Sequence, residues 1–171
     1  MVVLLDPSTA SRWLRVSEDY RSVIAINETD IEDTPGRYDL LPCVLGVPNL
    51  TSGKHYWEVQ VGDVTNWKLG VCDEEASRRG EITVAPYRGY WAVGREAEDV
   101  YLAYTSQFHT PLTPCMPPRT VGIFLDIDAG RVAFYNLEQR SLLFTFPRCP
   151  LPRTLRPYFC TWDLSRPLLL P

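Results

Sequence analysis

The sequence predicts an all-β protein in which two antiparallel sheets pack face to face, with at most short helical turns. Three observations carry this. Apolar and polar residues alternate with period two in short runs, most clearly in GKHYWEVQVGDVTNWKLGV at 53–71. The runs are separated at regular intervals by clusters of Gly, Pro, Asn and Asp. No stretch of ten residues has helical periodicity, and 15 prolines in 171 residues argue against long helices, because an interior proline costs a helix about 3 kcal/mol.

Taken in order, Asp6-Pro7 places a capping acid before a proline, the chemistry of a short helical turn over 7–10. Strands are expected at 14–17 and 22–26, followed by a breaker-rich loop at 28–37. In the stretch 53–71, Trp57, Val59 and Val61 share one face, and Tyr56, Glu58 and Gln60 share the other. Beyond Gly62-Asp63-Val64-Thr65-Asn66, Trp67, Leu69 and Val71 again share a face. Two alternating runs around a Gly-containing loop read as an antiparallel hairpin that supplies half of a sandwich core. After a loop at 73–88 come strands at 90–94 and 100–104, then a loop at 107–119. A second hairpin joins 121–126 to 131–136 through Ile127-Asp128-Ala129-Gly130. A strand at 141–146 ends at Pro147, and after a loop at 148–154 the last strands are 156–160 and 168–170.

The length fits a single domain, able to bury roughly 70% of the surface of the unfolded chain. A net charge of −4 argues against non-specific nucleic-acid binding, which needs a basic face to neutralise phosphates. The cysteines Cys43, Cys72, Cys115, Cys149 and Cys160 are odd in number and widely spaced. They suit reduced thiols of a cytoplasmic protein better than a zinc knuckle or a disulfide framework. Sequons occur at Asn27 and Asn49, but MVVLL is followed at once by Asp6-Pro7 and is too short for a secretory leader. No run approaches the ~18 apolar residues of a membrane span, so no membrane association is expected.

Catalytic signals are weak. Only His55 and His109 are present, and no nucleophile elbow, zinc-protease helix or phosphate loop occurs. Asp126-Ile127-Asp128-Ala129-Gly130 starts like a calcium loop, but Arg131 and Leu137 stand where that loop needs glycine and a bidentate glutamate. Acids at 73–75 and at Glu96, Glu98 and Asp99 raise the question of a glycosidase pair. They lie in solvated, loop-like sequence, where carboxylate pKa values are not tuned. The reading is therefore of a non-enzymatic chain without cofactor or metal. Arg78, Arg79, Arg88 and Arg95 are either solvated loop charges or the rim of a concave site for acidic groups. Trp162-Asp163 after the penultimate strand is either core or an interface anchor.

Several ordered motifs then resemble a known family. Leu5-Asp6-Pro7-Ser8-Thr9-Ala10, Val16-Ser17-Glu18-Asp19 and Arg21-Ser22-Val23 look like a PRY segment. Val44-Leu45-Gly46, Ser52-Gly53-Lys54-His55-Tyr56-Trp57-Glu58-Val59, Trp67-Lys68-Leu69-Gly70-Val71, Gly89-Tyr90-Trp91, the strand at 121–126 and Arg156-Pro157-Tyr158-Phe159 look like a SPRY segment. Together they resemble the C-terminal PRY-SPRY domain of tripartite-motif ubiquitin ligases, with butyrophilins as a sister group. The resemblance divides the chain into a PRY segment at 1–45 and a SPRY segment at 46–171, folded as one bent, concanavalin-like jelly-roll sandwich.

The resemblance implies a substrate-recognition module, with innate immunity as its setting, and no catalysis of its own. The zinc-binding RING and B-box, and a coiled coil that dimerises the ligase, would lie outside these residues, leaving this domain a monomer. Carried over by motif, the partner-binding positions are Lys68, Gly94, Glu96, Thr161, Trp162 and Asp163, with Arg78, Arg79 and Arg95 nearby. Some family members carry aromatics at the positions of Gly94 and Glu96, so a more polar pocket is expected here. The partner expected is a protein or peptide. The alternatives are a butyrophilin-like sensor of a small phosphorylated ligand and, outside the family, a carbohydrate-binding or carbohydrate-cleaving sandwich.

Overall fold

Fourteen strands build two sheets in the computed structural model, which describes residues 1–171. Numbered in chain order, the first sheet runs β1 (Leu4–Asp6), β4 (Cys43–Val47), β13 (Leu155–Thr161), β6 (Trp67–Asp73), β7 (Tyr90–Ala97), β8 (Val100–Ala103) and β9 (Thr110–Leu112). The second runs β12 (Ser141–Thr145), β11 (Arg131–Asn136), β10 (Thr120–Asp126), β5 (Lys54–Gln60), β14 (Leu168–Leu169), β3 (Ser22–Ala25) and β2 (Leu14–Val16). Every neighbouring pair is antiparallel. The only helical pieces are 3-10 turns at Pro7–Thr9 and Pro86–Arg88. The first forms as its sequence dictates: Pro7 opens it and the Asp6 carboxylate accepts from the Ser8 amide at 3.1 Å. No helix is long and apolar enough to cross a membrane.

Period-two alternation fixes which face each strand buries. On β6, Trp67, Leu69 and Val71 enter the main core with Leu155 and Phe159 of β13 and Trp91 and Val93 of β7. Trp57 and Val59 of β5, Val121, Ile123 and Leu125 of β10, and Val132 and Phe134 of β11 meet them from the other sheet. The intervening residues of the first sheet face outward. Cys72, Tyr90, Ala92, Tyr158, Cys160 and Leu45 form a second, smaller core there, covered by Tyr38, Leu41, Ala76, Ile82 and Val84 from the loops 28–42 and 74–89. That sheet is therefore buried on both faces over most of its area, and β13 is buried along its whole length.

The structure corrects one sequence expectation. β5 and β6 are not a hairpin: β5 pairs with β10 and β14, whereas β6 pairs with β13 and β7 in the opposite sheet. The link 61–66 instead crosses the end of the sandwich. Val61 and Val64 are buried, and the amides of Val61 and Gly62 both donate to the Arg119 carbonyl. β5 is already hydrogen-bonded to β10 and β14, and β6 to β13 and β7, so the two apolar triplets enter the core from opposite sheets.

Strands β1, β4 and β9 were absent from the sequence expectation. β4 is buried on both faces and so shows no alternation. β9 contains Pro111, tolerated because β9 lies at the sheet edge and pairs only with β8. The acidic turn after β10 is a hairpin turn, as expected: Asp126 opposes Arg131, and the Asp126 carboxylate accepts from the Ala129 amide at 3.1 Å. Gly130 closes this turn at φ 68°, with the Cys149 carbonyl against its α-carbon, so a side chain there meets both strain and backbone.

Candidate functional site

The cover over the outer face of the first sheet stops short of one end. At that end one cross-strand row reads Cys43, Cys160, Lys68, Gly94 and Leu102. Lys68 is half-buried, and its ammonium nitrogen lies 4.8 Å from the centre of the Tyr104 ring and 5.1 Å from that of Trp162. Both rings attract the cation through their faces without neutralising it. Lys68 forms no hydrogen bond or ion pair with another residue, whereas Arg12, Arg78, Arg79, Arg119 and Arg156 are all paired with carboxylates.

Tyr104 is the buried floor beneath this ammonium. Its hydroxyl donates to Glu96 Oε2 at 3.1 Å, and the His109 ring meets it edge-on at 4.8 Å. Burial and the neighbouring Glu96 charge both push its phenol pKa upward, so it stays a neutral donor. Trp162 is held outward by its neighbours. Thr161 and Asp163 are buried while Trp162 is 40% exposed. The Thr161 hydroxyl donates to the Asn66 carbonyl at 3.0 Å and accepts from the Asp163 amide at 3.2 Å. The Asp163 carboxylate accepts from the Thr65 amide at 2.8 Å, the Ser165 amide at 2.7 Å and the Arg166 amide at 3.1 Å. Burial alone would raise the Asp163 pKa, but these hydrogen bonds outweigh it and hold the carboxyl below its usual value.

The structure thus sorts the nine sequence-expected positions. Lys68, Gly94, Glu96 and Trp162 come together around Tyr104. Thr161 and Asp163 are adjacent but spend their polar atoms on the loop that carries Trp162. Arg95 follows Gly94 on β7 and turns to the other face, where it donates to the Val64 carbonyl at 3.0 Å. Arg78 and Arg79 follow β6, whose end at Asp73 lies about 17 Å from Lys68 at ~3.3 Å per strand residue. There Arg79 grips Asp33 with both terminal nitrogens at 2.8 Å, and Arg78 bonds the Gly36 carbonyl and Glu74. They staple the loop 28–42 to the loop 74–89.

Sequence reasoning missed Tyr104 and His109, and also Trp13, Leu40 and Leu164 beside Trp162. Tyr104 carries a signal only in hindsight, as an outward-facing residue just past β8; the others sit in loops without local pattern. No group of three or more His, Cys, Asp or Glu side chains gathers as a metal site.

Known proteins share this architecture. A family profile described as "SPRY domain" matches residues 54–165, and one described as "SPRY-associated domain" (PRY) matches residues 3–50. The chain is 45% identical over 165 residues to mouse (Mus musculus) butyrophilin subfamily 1 member A1, covering 96% of the chain and 31% of that protein. It is 41% identical over 170 residues to human (Homo sapiens) E3 ubiquitin-protein ligase TRIM58, covering 99% of the chain and 34% of that protein. It therefore spans about a third of the length of the curated relatives it matches. The crystal structure of the TRIM65 PSpry domain superimposes with a TM-score of 0.85 at 25% identity, covering 100% of this chain and 90% of that one. SPRY domains are protein-interaction modules, and the catalytic parts of the ligase relatives have no counterpart in these residues. Two-sheet topology, paired family profiles and close relatives together establish that the chain belongs to the SPRY family, in its combined PRY-SPRY form.

Proposed function

We propose that this chain recognises a protein partner through the Lys68–Trp162 end of its first sheet. In a longer cytoplasmic protein of the tripartite-motif kind, it would select substrates for a RING-type ubiquitin ligase. One observation carries the reading. A rigid, doubly buried sheet presents a half-exposed tryptophan beside an unpaired cation, and the flanking residues spend their own polar groups holding that tryptophan outward. Exposed aromatic anchors on rigid bases are what interface hot spots are made of. Relatives that include a ubiquitin ligase support the wider role.

The butyrophilin-like alternative, a small phosphorylated ligand, calls for several converging cations. Of the four basic side chains expected at the partner site, Lys68 alone faces it, since Arg78 and Arg79 bind carboxylates elsewhere and Arg95 bonds backbone on the opposite face. The geometry therefore favours a protein. The test is proximity labelling in cells with the chain and with its Lys68→Ala/Trp162→Ala double variant. A partner set that disappears with the variant supports the site, and an unchanged set refutes it.

A further inference from the structure

Trp162 serves two surfaces. Its ring faces the Lys68 ammonium, and it also closes a shallow notch of about 290 Å3 lined by Trp13, Ile26, Leu40, Pro42 and Leu164. No charged side chain lines the notch. Leu40 and Leu164 are 47% and 58% exposed, so apolar surface stands in water beside an ammonium that no carboxylate pairs directly. Each feature alone is ordinary on a protein surface. Sharing one indole makes them a pair with a defined chemistry.

We propose that they form a two-part subsite for an extended protein segment bearing a bulky apolar side chain close in sequence to a carboxylate. This rests on the protein-recognition reading above and specifies what is recognised. The apolar side chain fills the notch against Trp162. The carboxylate takes up the ammonium hydrogens of Lys68, none of which is spent within the chain. The separation between the two groups is one indole plus the 5.1 Å to the ammonium, or about two to three residues of extended chain at ~3.3 Å each. Glu96 does not take the ammonium, because its carboxylate accepts from the Tyr104 hydroxyl at 3.1 Å and forms no ion pair with Lys68. A nucleic acid does not fit, since one cation beside an apolar notch cannot neutralise a run of phosphates.

The test is selection of random short peptides from a displayed library on the chain and on its Lys68→Glu and Trp162→Ala variants, each first shown to unfold cooperatively. On the wild type, enriched sequences carry Leu, Ile, Phe or Trp within about two or three residues of Asp or Glu, as the extended-chain spacing requires. On Lys68→Glu the apolar residue persists and its companion becomes Lys or Arg. On Trp162→Ala enrichment is lost. A selected peptide weakens by roughly tenfold or more on Lys68→Ala. Peptides that need Trp162 but ignore the charge at residue 68 overturn the two-part subsite and leave the recognition reading standing. Peptides indifferent to both positions, or no enrichment on folded protein, overturn both. Concentration-dependent self-association abolished by Trp162→Ala assigns the notch to a second copy of the chain and also overturns the proposal.

Discussion

Gly94 is the bare strand position against which Tyr104 lies: a Cβ there would sit 2.7 Å from the Tyr104 hydroxyl and 2.9 Å from its ring. The floor under Lys68 exists because this position has no side chain. Gly94→Ala should press on the Trp67 carbonyl, 2.6 Å from the same Cβ, displace the ring, lengthen the bond to Glu96 and cost about 1–3 kcal/mol by overpacking. Denaturant unfolding measures the cost, and amide shifts at Lys68 and Glu96 report the displacement. A fully stable variant with unshifted spectra would show that Tyr104 does not depend on the gap.

Trp162→Ala should barely change stability, within about 1 kcal/mol, because the side chain is substantially exposed and its loop is held by Thr161 and Asp163. The same change should weaken partner binding by about 2 kcal/mol or more. Thermal unfolding and calorimetric titration on one preparation separate the two effects. A large stability loss with unchanged affinity would make Trp162 a structural residue.

Arg156 should be among the costliest surface-distant positions to change. It is 5% exposed, and it donates to the Gly46 carbonyl at 2.9 Å, Glu74 at 3.1 Å and Asp6 at 3.0 Å. Arg156→Ala leaves two carboxylates and a carbonyl without their shared donor, at about 3–5 kcal/mol. Equilibrium denaturation gives the number, and a loss below 1 kcal/mol, the usual worth of an exposed pair, would contradict the assignment.

Acid should loosen the Trp162 loop. The native Asp163 pKa lies below the ordinary aspartate value of 3.8. A depressed carboxyl pKa stabilises the fold fully above the unfolded value and loses that contribution as pH falls through the native one. Trp162 fluorescence should therefore change below about pH 4. Asp163→Asn should lower stability at neutral pH and flatten its acid dependence; an unaltered slope would refute the linkage.

Thiol reactivity should divide the cysteines. Burial raises the Cys72 thiol pKa to about 12 and lifts that of Cys160 well above its usual value, whereas Cys115 is exposed. Only thiolates alkylate, so brief iodoacetamide treatment near neutral pH should modify Cys115 and spare Cys72 and Cys160 until the chain unfolds. Peptide mass spectrometry reads the order, and native labelling of Cys72 at the rate of Cys115 would be the contrary result.

Much of this protein was legible in its residues. Alternation placed Trp57, Val59, Trp67, Leu69 and Val71 in the core correctly, because the period of two is a property of the extended backbone itself. The turn at 127–130 and the cap at Asp6 were likewise local chemistry. The family resemblance singled out Trp162 and Lys68 as candidate positions, and the structure sets them side by side.

What the sequence could not decide was partnership. The alternation in 54–60 and 67–73 is the same whether the two strands pair in one sheet or face each other across two, and only the competing claims of β10, β13 and β14 settle it. Arg78 and Arg79 look like site cations in the sequence because Asp33, Gly36 and Asp39, which engage them, are about forty residues away in the chain. Lys68 stays unpaired because the carboxylate brought to the same ring, that of Glu96, bonds the Tyr104 hydroxyl instead. Side-chain direction is fixed by neighbouring dihedrals, but which charges are spent and which remain for a partner depends on long-range closure, and that is decided only when the sandwich is assembled.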